Sequence, residues 1–271
     1  MPGLTATIVT LNEEANVRAA LESVAWADEI VVVDSRSSDD TAAIARTFTD
    51  KVVVRDWPGY IEQKNYAASI AAHDWILSLD ADERVTVDLA REIRGIMSAE
   101  PPCAGYRVPR VSFYLGRWIR STDWYPDCQL RLYDRRRARW QGRHVHESVK
   151  ADGPTATLCE DLLHYPYRDI AHHLATIDRY TTLSARQMFE NGRRTGAAGA
   201  ALHGPAAFLR NYVLRGGFLD GGPGLLVSAL NSYYVFLKFA KLWELQQKSG
   251  TGGAGGTGGA GGAGDNGGRH T

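Results

Sequence analysis

Two aspartates separated by one residue, Asp80 and Asp82, close an apolar run in the segment WILSLDADE, residues 75–83. An extended chain points residues two apart to the same side, so both carboxylates are expected to face one way from a strand terminus. Two hard oxygen ligands in that arrangement suit Mg2+ or Mn2+ and leave coordination positions for a diphosphate. A third acid, Asp34, closes the run EIVVVD, residues 29–34, and is followed by Ser35, Arg36, Ser37 and Ser38. An acid at the end of an early strand in a nucleotide-binding sheet takes hydroxyl or base donors. Alone, Asp34 reads equally as a turn or helix-capping residue, and acids after a strand are common. With Asn12 and Glu13 after the first apolar run, three strand ends are expected to converge. Asp80 and Asp82 would then enter one cleft that Asp34 borders.

The elements that must position these residues follow from periodicity. Apolar strands are expected at 5–11, 29–34, 51–55 and 75–79, with helices at 39–48 and 60–72 between them. A further helix after Asn12 would take Asn12 as its cap, Glu13 and Glu14 in its first turn, and Val17, Leu21 and Val24 as its apolar side. Uninterrupted apolar strands separated by helices imply a mostly parallel sheet covered on both faces, with ligands at the carboxyl edge. After Met97 the pattern changes to strands at 105–115, 129–133, 145–149 and 156–163. Helices are then expected at 169–194, with Ile170, Leu174, Ile177 and Leu183 inward, at 205–215 and at 224–247. Residues 249–271 are glycine and alanine, too poor in apolar side chains to pack, and are expected to be disordered.

Lys plus Arg and Asp plus Glu both number 31, so no global charge points to nucleic acid. Locally, arginines crowd residues 107–143, a field suited to phosphates or anionic headgroups, or a solvated face. Trp118, Trp124, Tyr125 and Trp140 interleave with them and suit either sugar stacking or packing. The odd count of three cysteines and an N-terminus without a secretory pattern predict a reducing, cytoplasmic setting. The apolar stretch 225–240 is short for a bilayer crossing and carries Ser228, Asn231, Ser232 and Lys238. It fits a helix in a membrane interface or one packed on the core.

The segments TLNEE, VVVDSRSSDDT, QKN (63–65) and DWILSLDADE resemble the inverting family-2 glycosyltransferases. AGYRVPR, YLGRWIR, WYPD, RLY, VHESV, LLHYPYR, DRY and FLRNYVLRGGFLDGGPG resemble, more narrowly, the bacterial lipopolysaccharide core biosynthesis glucosyltransferase subgroup. The resemblance covers nearly everything except the glycine tail. It implies an α/β fold of GT-A type, a Rossmann-like mixed sheet with C-terminal helices. Residues 1–100 would be the nucleotide-sugar-binding half, 101–168 the acceptor-binding half, and 169–248 a helical region that touches the membrane or the acceptor.

Carried over position by position, Thr10, Leu11, Asn12 and Glu13 would line the base pocket. Asp34 would bind base or ribose, and Asp80 the nucleotide side of the donor. Asp82 would ligate Mg2+ or Mn2+, with His146 completing the metal shell or serving structurally. Lys64 would meet a phosphate or lie on the surface. The acceptor proton would go to Asp127, ranked first, or to Glu147. The family pattern DSGSTDGT has glycine where this chain has Arg36 and Asp40, which restricts the loop. The implied reaction moves a hexose, glucose by family likeness, from a UDP-sugar to a glycolipid or envelope glycan at the cytoplasmic side of a membrane. Two other classes compete, a nucleotidyltransferase-like enzyme and a non-catalytic carbohydrate-binding relative. The first lacks its Gly/Arg-rich phosphate loop, since LNEEAN stands there.

Overall fold

The computed structural model describes residues 2–142 and 147–251. Strand and helix alternate from the N-terminus: β1 (Leu4–Thr10), α1 (Val17–Ser23), β2 (Glu29–Asp34), α2 (Thr41–Ala45), β3 (Val52–Val54), α3 (Tyr60–Ser69) and β4 (Trp75–Asp80). The four strands lie parallel in the order β3, β2, β1, β4. Their apolar runs are continuous because both faces are covered. Ala6, Ile8, Val32, Leu77 and Leu79 pack on one face with Val17 and Leu21 of α1. Val31 and Val33 pack on the other with Ala67 of α3.

The chain then turns into β5 (Glu83–Val85) and α4 (Val87–Met97). Thr86 caps α4, its hydroxyl accepting from the Leu89 N–H at 3.0 Å, and Leu89, Ala90, Ile93 and Met97 form the buried face. This amphipathic helix was not among the expected elements, although its capping threonine and apolar spacing were present in the sequence. Next come β6 (Gly105–Tyr114), β7 (Arg117–Ile119), β8 (Asp127–Asp134), β9 (Ala138–Gln141), β10 (Ser148–Ala151), β11 (Thr155–Thr157) and β12 (Leu162–His164). β8 pairs antiparallel with β4 and β6, so the same sheet continues across residue 100 in the order β4, β8, β6, β12, β5. The strand expected at 156–163 is two short strands, and of that expected at 145–149 the described part is β10.

Three helices complete the chain: α5 (Ile170–Glu190), α6 (Ala197–Leu209) and α7 (Gly221–Thr251). Asp169 caps α5, accepting from the His172 N–H at 2.7 Å. The inward face of α5 carries His173, Ile177, Thr181, Ser184 and Ala185, while Ile170, Leu174 and Leu183 are about 40% exposed, contrary to the expected apolar side. Proline 205 was expected at a helix start, but the alanine-rich stretch before it begins α6 eight residues earlier, and Pro205 lies inside. α7 packs on α5 and α6, burying Phe239 and Leu242 with Ala185 and Ala200. Among the described residues no helix is long and apolar enough to cross a membrane.

Replacing Thr86 with Ala removes the α4 cap and is expected to cost about 1 kcal/mol in urea denaturation. No change in the midpoint would show that the cap contributes nothing.

Candidate active site

The carboxyl edge of the parallel strands gathers most of the expected residues. Thr10 is in register with Asp34, and Val9 with Asp80. β2 and β4 thus flank β1 with their terminal acids about 10 Å apart, two strand spacings. Adjacent β1 residues point to opposite faces, so Asp34 and Asp80 share an edge and leave it on opposite sides.

Asp34 is 1% exposed. It accepts from the Thr10 hydroxyl at 2.9 Å, the Ser37 N–H at 2.9 Å and the Ser37 hydroxyl at 2.5 Å. The acid therefore shapes the following loop. Asn12 does not cap α1, whose cap is Asn16; it adopts φ +55 and its side-chain oxygen accepts from the Ser38 N–H at 2.8 Å. Arg36 occupies the first family-glycine position with φ +58, a left-handed conformation in which glycine is strain-free, and its guanidinium pairs with Asp56. Asp40 has φ −76, so the loss of the second glycine restricts nothing. Leu11 is 48% exposed beside this loop, and the Glu13 N–H donates to Thr41 at 2.8 Å.

On the other face, charges alternate in a continuous chain. Glu147 lies 3.4 Å from Lys64, and Lys64 lies 2.9 Å from Asp80. Arg131 bonds both Asp80, at 2.6 Å, and Glu83. Glu83 in turn bonds Arg110 at 2.8 Å, and Arg110 grips Asp127 through Nε at 3.0 Å and through Nη2. Four carboxylates alternate with three cations. Lys64 is not a surface residue: its side chain is 5% exposed and its ammonium lies 4.1 Å from the Trp140 ring centroid. Trp140 is itself buried, and Trp124 packs with Tyr114, Tyr167 and His173, so these aromatics are structural. Burial and Tyr180 push the Tyr167 hydroxyl up to about 12. Burial pushes the His173 imidazole, which bonds the Tyr114 hydroxyl, down to about 4.

The acids of this chain are held differently. Burial alone would raise Asp80, but Arg131 and Lys64 outweigh it and hold the carboxyl well below the ordinary range. Asp127 is likewise held low, burial being outweighed by Arg110 and by the Gln129 amide. Glu147 goes the other way: burial, with the Asp80 charge, raises it more than Lys64 and Arg131 lower it.

Asp82 departs from expectation. The strand ends at Asp80, residues 81–82 form a turn, and the Asp80 N–H donates to the Glu83 carboxylate at 3.0 Å. Extended-chain alternation therefore does not apply, and Asp82 finds other partners. Its Oδ2 lies 3.4 Å from His164 Nε2, whose Nδ1 lies 3.0 Å from the Ser112 hydroxyl. Glu13 is close enough for Asp82 to help raise its pKa, after burial, the main cause. Among the described residues no group of three or more His, Cys, Asp or Glu forms a metal cluster. His146 lies outside the described residues. Sequence reasoning missed His164, Arg131, Glu83 and Arg110. His164 lies in the HYPYR stretch and Glu83 in the DADE stretch, but their partners are distant in sequence.

Residues 5–151 match the model of Glycosyl transferase family 2. A lipopolysaccharide core biosynthesis glycosyltransferase, LpsC of Rhizobium meliloti, is 30% identical over 248 residues, 89% of this chain and 92% of that one. An uncharacterized glycosyltransferase of Rickettsia typhi is 31% identical over 263 residues, 92% of this chain and 89% of that one. A solved mannosyl-3-phosphoglycerate synthase from Rubrobacter xylanophilus is 22% identical with TM-score 0.36, spanning 40% of each chain.

Glu83 is fully buried between two guanidinium groups. Glu83→Gln is expected to destabilise the protein by about 1–3 kcal/mol, the loss of charge-assisted bonds to two buried guanidinium groups that keep Asp80 and Asp127 as partners. A loss under about 1 kcal/mol in chemical denaturation would contradict the network's structural weight.

Proposed function

This chain belongs to glycosyltransferase family 2, and we propose that it moves a hexose, glucose by family likeness, from a UDP-sugar to a glycolipid or cell-envelope glycan with inversion. The observation that carries this reading is the Asp82–His164 pair beside Asp80 at the carboxyl edge. Every cation of the neighbouring charge chain already faces a carboxylate, so a diphosphate arriving there needs further positive charge. Asp82 and His164 fit a divalent cation. Ser112 bonds Nδ1 and leaves Nε2 toward the carboxylate, the outer-shell arrangement that orients a metal-bound imidazole. A mixed oxygen and nitrogen donor set suits Mn2+ better than Mg2+. When bound, the cation supplies charge compensation to the departing nucleoside diphosphate, worth several kcal/mol.

The chain's own residues do the rest. Asp34 holds the loop that, with Thr10, Leu11, Asn12 and Glu13, forms the wall for the uracil and ribose. Asp80, fixed by Lys64 and Arg131, meets the nucleotide side of the donor. Lys64, held by Asp80 at 2.9 Å and more loosely by Glu147 at 3.4 Å, is the cation assigned to a phosphate oxygen. The acceptor hydroxyl's proton goes to a carboxylate at one end of the charge chain. Glu147 is favoured over Asp127, because a raised pKa makes a better base and Arg110 already grips Asp127.

Two experiments test these assignments. Titration of UDP by calorimetry is expected to show binding tightened by Mn2+ in the native protein. Asp82→Ala and His164→Ala should each lose that tightening by about 10–100-fold or more; unchanged Mn2+ dependence in both would remove the metal assignment. The pH profile of kcat/KM separates the two bases. With Glu147 as base the acid limb lies above the ordinary 4.5, activity falling as Glu147 takes up its proton. Glu147→Gln should lower kcat about 10²–10⁴-fold. A limb below 3.8 that survives Glu147→Gln would assign the role to Asp127.

A further inference from the structure

Between α6 and α7 the chain is packed inside out. A π-helical turn (Arg210–Leu214), Gly216 at φ +66, a 3-10 turn (Gly217–Asp220) and Gly221 at φ +62 form a knob. Two of its polar side chains, Asn211 and Asp220, point inward. Asn211 is fully buried, accepting from the Asp123 N–H at 2.7 Å and donating to the Ala207 carbonyl at 3.0 Å. Asp220 is 5% exposed and accepts from the Ser121 hydroxyl at 2.5 Å and the Arg120 N–H at 3.0 Å. Its large apolar side chains point outward: Leu209, Val213, Leu214, Phe218 and Leu219 are between 49% and 76% exposed. Leu115, at the tip of the β6–β7 hairpin, continues the patch at 43%, and Arg117 ties that hairpin to the knob by donating to the Leu219 carbonyl at 3.1 Å.

Buried polar anchors hold the apolar residues out, so the exposure is a built feature of the fold. Monomeric soluble surfaces rarely carry contiguous apolar patches of this kind without a partner. The rim identifies the partner. Arg117, Arg120, Arg210 and Arg215 surround the patch with side chains 52–56% exposed, while their acids, Asp123, Asp161 and Asp220, are 8–24% exposed beneath them. An approaching surface therefore meets guanidinium donors around aliphatic and aromatic tips. That combination matches the boundary of a bilayer, where apolar side chains enter the acyl region and arginines reach headgroup phosphates.

We propose that the 209–219 knob and the Leu115 hairpin tip form a docking surface for an anionic lipid bilayer. The knob bonds directly to the segment leading to Asp127, since Asp123 accepts from Arg210 and Arg215 as well as from the Asn211 amide at 3.2 Å. Docking thus places the β8 end of the candidate site at the membrane, where a glycolipid headgroup would be presented. Membrane binding is read without turnover, so its failure is distinguishable from failure of the metal or base roles.

The test is flotation of the full chain with vesicles of phosphatidylcholine alone or mixed with phosphatidylglycerol. The native protein is expected to float with the mixed vesicles, less so in high salt. The double variant Leu214→Glu/Phe218→Glu should bind about a hundred-fold more weakly, because two large apolar side chains leave the interface. Circular dichroism and UDP binding should match the native protein, since both positions are exposed. Native protein that stays with neither vesicle, or a double variant that floats as well as native, overturns the proposal. So does a native dimer in gel filtration that the variant converts to monomer without any vesicle binding, which would assign the patch to a second copy of the chain.

Discussion

Arg131 is the side chain around which the candidate site is arranged. It leaves β8 with 3% exposure and lies between Asp80 of β4 and Glu83 of β5. Without it, two acids three residues apart would sit at the end of a buried strand with only Lys64 on one and Arg110 on the other to offset them, and like charges at close range repel. Burial opposes the guanidinium's charge, but the two carboxylates more than restore it. The bond also closes the turn at residues 81–82 by fixing both of its flanks. Asp82 then faces His164 on β12 at 3.4 Å.

From this centre the charge chain extends to two ends with different properties. One end, Asp127, is gripped by Arg110, which outweighs burial and holds it below the ordinary carboxylate range. The other, Glu147, is loosely held and half desolvated. An alternating chain of this kind contributes little net stability, since burying ions is costly. It gives position: Asp80 cannot rotate without breaking contacts to both Lys64 and Arg131. Because the cations are already paired, the site is not a preformed anion hole. That is the physical reason to expect a metal to accompany the nucleotide.

Much of this was legible in the sequence, and the failures are instructive. The strands ending in Thr10, Asp34 and Asp80 could be read because strands buried on both faces appear as unbroken apolar runs. The family likeness was carried by those ends and by the HYPYR and YPD stretches. The turn at Ala81 was not legible, since DAD fits an extended chain as well as a turn, and only Glu83 bonding back to the Asp80 N–H decides it. The pairings of Arg131 with Asp80 and of Asp82 with His164 join residues 51 and 82 positions apart, beyond any local pattern. Helix α5 misled for another reason. Its polar His173, Thr181 and Ser184 pack inward against neighbours that satisfy them, while Leu174 and Leu183 remain partly exposed, so tertiary context overrode hydropathy.

The C-terminal helices are tied to the sheet by polar links. The Asp123 N–H donates to Asn211 and Asp220 accepts from the Arg120 N–H, so bonds cross that junction in both directions, and Tyr114, Ile119 and Val227 form a small apolar cluster beside it. The β7–β8 side of the sheet is therefore mechanically joined to the appendage, while Thr10, Asp34 and Asp80 rest on the parallel strands. The account's central claim is that Asp82 and His164, apart from Asp80, form the cation site. Anomalous diffraction at the manganese edge from crystals grown with UDP and Mn2+ tests it directly. A peak beside Asp82 and His164 is expected. A peak on Asp80, or nucleotide density with no metal beside Asp82, would contradict it.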